Sequence, residues 1–233
     1  MQVSEIGYLP FPLGSLLASR PGGKYLRESV EASQRATKAE RQVTFLAYLY
    51  LAEALAELGE TEQAMAAYND FKLKRKVDTP GSNAVLATIL YAKGEYRAAE
   101  TILQRIIATP RNAGPDSYQL LGRAQDKLGN FEQALGTFRA GQKLFPANCA
   151  LYDETGKFLL KQQRTQEAFA EFDRGIAAVK KCGLPYISHA RALIDMKRIP
   201  EARAKLEALI KIAPTSDGAE IAKELMVEMT KAG

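Results

Sequence analysis

Apolar residues recur three, four and seven positions apart from Phe45 to Met229. That period belongs to amphipathic helices, since strands would alternate every second residue. The apolar stretches come in pairs, each of about 13 residues, a usual helix length. A short break separates the members of each pair: Leu58-Gly59, Lys93-Gly94, Leu128-Gly129, Gln162-Gln163 and Met196-Lys197. Aligning on the breaks gives five units, 45–78, 80–113, 115–148, 149–182 and 183–216. They begin at Phe45, Pro80, Pro115, Cys149 and Gly183, at intervals of 35, 35, 34 and 34 residues.

The copies agree in detail. After each break comes an alanine: Ala64, Ala99, Ala134, Ala168, Ala202. Four residues on comes a large apolar residue: Tyr68, Leu103, Phe138, Phe172, Leu206. Earlier in each unit stands a small residue: Ala52, Ala87, Gly122, Gly156, Ala190. Such spacing predicts two helices joined tightly enough to lie antiparallel. Small residues let the axes approach, and the large ones fill the space beside them. Gly59, Gly94 and Gly129 suit the left-handed residue that ends a helix, and Pro110, Pro146 and Pro214 stop the second helices. One hairpin cannot bury both its faces, so the units are expected to stack and share a core.

These landmarks resemble the tetratricopeptide repeat family, over residues 45–216. The third unit matches best, through Tyr118, Leu121-Gly122, Gly129, Ala134, Phe138 and Pro146. The resemblance implies an all-α fold, a right-handed α-solenoid of stacked antiparallel helix pairs. Departures are Asn83 for an aromatic, Gln125 for Tyr or Leu, and Thr155 for Leu. Gly141 and Gly175 replace an alanine, which should loosen their helices by ~1 kcal/mol each. Residues 217–233 read as a capping helix, with Asp217 and Glu220 as a capping box and Ile221, Leu225, Met226 and Met229 on one face. Residues 1–44 read as an extension or a degenerate zeroth repeat, with Ile6, Tyr8, Leu9 and Phe11 needing a surface to cover.

Composition narrows the function. A net charge of +5 is modest, and acids and bases interleave, so no nucleic-acid partner is expected. The densest basic run, Lys72, Lys74, Arg75 and Lys76, closes a predicted helix, where cations offset the dipole. No run approaches ~20 apolar residues, so no transmembrane segment is expected. With one histidine and two cysteines, no metal or other cofactor is expected. Cys149 and Cys182 read as a free, reduced pair. If Met1 is the native start the expected compartment is the cytoplasm, with the periplasm left open. His189 falls where Leu51, Leu86 and Leu121 stand in other units, the place of a packed histidine. No nucleophile pattern accompanies it, so no catalytic residue is expected.

The resemblance implies binding of a protein or peptide along the concave side, lined by the first helix of each unit. At equivalent groove positions stand Arg123, Lys157 and Arg191, with Lys127 and Lys161 one turn on. They form a candidate stripe for an acidic peptide, although Asp126, Asp153, Glu154 and Asp195 lie close enough in sequence to neutralise it. Leu46, Leu49 and Tyr91 give the first units an apolar groove surface. The family's clamp for carboxyl termini is not matched: Leu49, Glu53, Val85, Asp116 and Leu120 occupy its places in units one to three. Three alternatives remain from the sequence: self-assembly of the chain as a homo-oligomer through its N-terminal apolar stretch, chemistry centred on His189, and, last, nucleic-acid binding.

Overall fold

A computed structural model describes residues 24–38, 44–75, 78–109, 111 and 113–231. Among these there are twelve α-helices and no strand. The fold is all-α, an α-solenoid of antiparallel helix pairs. The helices fall into two compact units, one ending at Lys93 and the other starting at Gly94. The first holds α1 (Lys24–Lys38), α2 (Thr44–Glu57), α3 (Thr61–Lys74) and α4 (Pro80–Ala92). The second holds α5 (Tyr96–Ile107), α6 (Pro115–Lys127), α7 (Phe131–Leu144), α8 (Cys149–Lys161), α9 (Thr165–Ala178), α10 (Gly183–Asp195), α11 (Ile199–Ile212) and α12 (Asp217–Lys231). Ile6, Tyr8, Leu9 and Phe11 lie outside the described residues.

In the first unit α2 packs against α1, α3 and α4. Leu55, Tyr68, Phe71 and Ile89 are buried at the centre of its core, with Val30 of α1 packed against it. In the second unit every helix packs on the next, and α6, α8, α10 and α12 also touch one another in series. Phe138, Phe158, Phe172, Leu193 and Leu206 run through one continuous core there. The alanines that follow the breaks, Ala64, Ala99, Ala134, Ala168 and Ala202, are all completely buried.

The tight pairing has a measurable cause. A Cβ placed on Gly122 would lie 2.5 Å from the Phe138 ring, and one on Gly156 would come closer still to the Phe172 ring. Each ring therefore occupies the space that a missing side chain leaves. The same test corrects the expectation for Gly141 and Gly175. A Cβ on Gly141 would meet Tyr118 Cβ at 2.8 Å and Leu151 Cδ2 at 2.9 Å; one on Gly175 would meet Tyr152 Cβ at 2.8 Å and Pro185 Cγ at 2.9 Å. These glycines are sites where the helices on either side come too close for alanine.

The turns repeat one hydrogen-bonding scheme. The amides of Glu60, Asn130, Arg164 and Arg198 reach back five residues to the carbonyls of Leu55, Gln125, Leu159 and Leu193 at 2.8–2.9 Å. The residue before each donor is left-handed: Gly59 and Gly129 at φ +79°, Gln163 and Lys197 at +60°. Glycine adopts this conformation without cost, and other residues lose roughly 1 kcal/mol or more. Two of the first helices, α4 and α8, are capped by side chains at their starts. Thr79 and Ser82 form a reciprocal capping box before α4, and Asn148 Oδ1 accepts from the Leu151 amide at 3.2 Å before α8. Before α12 the cap is Ser216, whose hydroxyl accepts from the Ala219 amide at 3.1 Å, with Asp217 already the first helical residue.

Two departures from the repeat pattern are paired polar groups. Thr137 donates to Gln125 Oε1 at 2.7 Å. Gln142 Nε2 donates to Thr155 Oγ1 at 2.9 Å and to Glu171 Oε2 at 3.2 Å, linking α7, α8 and α9 through buried side chains. Arg174 donates to the other Glu171 oxygen at 2.8 Å.

The cysteine reading is corrected: Cys149 and Cys182 are joined in a disulfide, and no described cysteine is free. The cause is the repeat itself. The two cysteines are 33 residues apart in a 34-residue period, so stacking brings their Cα atoms to 6.4 Å, within bridging range. Closing a loop of that length stabilises the fold by ~4 kcal/mol on the chain-entropy account.

Two substitutions test this packing by urea unfolding. Gly141→Ala should destabilise by about 1–3 kcal/mol from overpacking, although helix propensity alone would make it stabilising. Gln163→Gly should stabilise by up to about 1 kcal/mol by relieving its left-handed backbone.

Candidate functional site

The series of contacts among α6, α8, α10 and α12 defines an inner face in the second unit. These first helices touch their successors, whereas α7, α9 and α11 meet one another sparsely at most. Closer spacing in one layer than in the other bends the stack, with the first helices inside. Positions on their solvent side are the ones open to a ligand.

The candidate cations sit there and are exposed: Arg123 and Lys127 on α6, Lys157 and Lys161 on α8, Arg191 on α10. Lys157 and Lys161 are internally paired. Lys157 Nζ lies 3.1 Å from Asp153 Oδ2 and 2.5 Å from Glu154 Oε1. Lys161 Nζ donates to Asp126 Oδ2 at 2.7 Å, tying α8 to α6. Lys127 and Arg191 make no ion pair with a described residue. The stripe is thus a row of cations in which the middle is neutralised by the protein's own acids.

Asp153 anchors that middle. Its side chain is 3% exposed. Burial raises its pKa above the ordinary carboxyl value, while Lys157 and the Ser188 hydroxyl pull it back down. Burial lowers the pKa of Lys157, yet Asp153 and Glu154 outweigh this and the net shift is upward. Asp153 Oδ1, Asp126 Oδ1 and Gln119 Nε2 are buried without a hydrogen-bond partner.

The three apolar candidates belong to the other compact unit. Leu46 is 47% exposed and Tyr91 half-buried, whereas Leu49 is 7% exposed and part of the core, so it has little surface to offer. Two members of the basic run are accounted for locally. Lys72 and Lys74 lie in the last turn of α3, Lys72 pairs with Asp78, and Lys74 Nζ stands 5.6 Å above the Tyr48 ring.

His189 is buried on α10. Its ring stacks 4.4 Å from Phe169 and 5.6 Å from Phe172, measured between centroids. Nδ1 lies 3.3 Å from Asp173 Oδ1, which also holds Lys205 at 2.5 Å. Burial and then Lys205 lower its pKa to about 4, against the pull of Asp173. The imidazole is neutral at pH 7 and packed between rings.

Among the described residues no cluster of His, Cys, Asp and Glu has a metal-binding arrangement, and no helix is long and apolar enough to cross a membrane. Sequence reasoning missed the Gln142–Thr155–Glu171 link and the cross-helix Lys161–Asp126 pair. Thr155, odd for its position, was the available signal for the first. The 35-residue separation of Asp126 and Lys161, one repeat in length, was the signal for the second.

The tetratricopeptide repeat family model matches residues 46–74, 84–148 and 120–181. The chain belongs to this family. Among solved structures it is similar to TTC0263, a thermophilic TPR protein of Thermus thermophilus, at 20% identity and a TM-score of 0.60, covering 78% of this chain and 99% of that one. It is also similar to a tetratricopeptide repeat protein from Parabacteroides merdae, at 16% identity and a TM-score of 0.62, covering 91% of this chain and 80% of that one.

A pH prediction follows from His189. An unfolded histidine titrates near 6.5 and the folded one at about 4, so the unfolded chain takes up the proton first. The stability lent by the neutral imidazole is whole above pH 6.5 and is lost as pH falls to about 4, by up to ~3 kcal/mol. His189→Phe, which keeps a ring but cannot titrate, should lose less stability across that interval. The Tm difference between the two proteins should shift in favour of the variant as pH is lowered.

Proposed function

We propose that the protein is a non-catalytic interaction scaffold that holds a peptide segment of a partner along the inner face of α6, α8, α10 and α12. What supports this reading is the series of contacts among these helices, together with the exposure of five cations that they carry. Arg123, Lys127, Lys157, Lys161 and Arg191 are the residues assigned to ligand contact. The segment carries acidic side chains, because Lys127 and Arg191 stand without an internal acid while Lys157 and Lys161 have one. The charge preference is therefore strongest at the flanks of the row.

The non-catalytic reading is supported by His189, which is wedged between two phenyl rings, and by the bridging of both cysteines, which removes the thiol nucleophiles. The bridge also favours an oxidising compartment over the cytoplasm, because reducing surroundings keep such pairs open.

The structure shapes the test. Lys157→Glu would put a second carboxylate against buried Asp153 and threaten the fold. Lys127→Glu with Arg191→Glu changes only exposed side chains. A displayed library of random short peptides, selected on the wild-type protein, should enrich Asp and Glu. The selected peptides should bind the double variant roughly tenfold more weakly, as two exposed charge contacts of up to ~1 kcal/mol each imply. Selected peptides with no acidic bias, or unchanged binding to the variant, would reject the acidic reading.

A further inference from the structure

The Cys149–Cys182 bridge joins two neighbouring helices of the inner face. Cys149 is the first residue of α8, and Cys182 caps the N-terminus of α10. Between them the chain makes the whole α8–α9 hairpin, so the bridge closes that hairpin on itself. Lys157 and Arg191 sit farther along the same two helices.

We propose that this bridge is a redox-operated clasp on the groove: oxidised, it fixes the spacing of α8 and α10, and a dithiol reductant opens it and loosens these two helices without unfolding the chain. Three observations carry this. Both cysteines are half-buried, not sealed in the core. Each stands at the N-terminus of a 13-residue helix, where the helix dipole stabilises the thiolate that must leave when the bond opens. Lys180 and Lys181 precede Cys182 and add positive charge beside it. The core behind the bridge is independent of it. Phe172 fills the gap beside Gly156, and Tyr186, Ile187 and Leu193 of α10 belong to the continuous core. Opening the clasp therefore removes a tether and leaves the packing.

The exchange balances as follows. A thiolate of the dithiol attacks one cysteine sulfur and forms a mixed disulfide, and the other cysteine leaves as thiolate. The second thiol of the reductant then closes its own disulfide and releases the first cysteine. Two electrons and two protons pass from the dithiol to the protein. The oxidised form of the dithiol restores the bridge by the reverse steps.

The test uses the full chain purified in air. Dithiothreitol is added in native buffer, free thiols are trapped with a maleimide and counted by mass, and backbone hydrogen exchange is followed in parallel. Before reduction neither cysteine should react. After reduction both should react together, helical content should hold, and exchange should quicken severalfold in 149–195 with no change in 24–75. Removing the reductant and adding oxidised dithiothreitol should restore slow exchange. Cys149→Ser should show the open-state exchange with no reductant present. The proposal fails if the thiols are free in the air-purified protein, if the bridge yields only in denaturant, or if reduction leaves exchange in 149–195 unchanged. The clasp rests on the proposed groove, but none of these results measures peptide capture, so its failure leaves the acidic-peptide reading to the library test.

Discussion

Everything in this protein depends on one steric exchange: a side chain is omitted on a first helix so that a large one from its partner can lie against the backbone. Phe138 over Gly122 and Phe172 over Gly156 are the clearest cases. The exchange brings two helices close and leaves apolar surface on the outside of the pair. The next pair must cover that surface, and its own outer surface then needs covering in turn. A repeated local fit thus produces an extended stack, and the inner face is a by-product of closer spacing in one layer.

Much of this was legible in the chain. The alanine series, the apolar series four residues later and the breaks each occur at a fixed interval, so errors in one unit are corrected by the other four. The helix pairs and the buried alanines follow from that redundancy. What the pattern could not show was anything that occurs once. Gly141 and Gly175 read as weak helix formers because propensity is local, whereas their necessity comes from Tyr118 and Tyr152 on other helices. Cys149 and Cys182 read as free thiols because two cysteines in a long chain carry little weight; only the period, applied to their separation, puts them face to face.

The candidate site divides in the same way. The first helices touch in series as stacked repeats should, and the candidate cations upon them are exposed. Their electrostatic partners were harder to place. Asp153 and Lys157 are four apart on one helix and could be paired by counting. Asp126 and Lys161 belong to different helices, and their pairing depends on how two repeats stack. The assignment of Leu49 to the groove illustrates the opposite error: a position that is open in an ideal repeat is closed here, within the core that α2 shares with its neighbours.

The internal pairing of Lys157 and Lys161 has a consequence for how such a groove discriminates. An arriving carboxylate meets ammonium groups that already have one, so it gains only the difference between the new contact and the old. Attraction at a distance is weak as well, since the opposed charges cancel over a few ångströms. Recognition then falls to shape and to the simultaneous replacement of several resident acids, which only a segment with matching intervals achieves. Under the proposed function, such an arrangement favours brief, selective residence over tight retention.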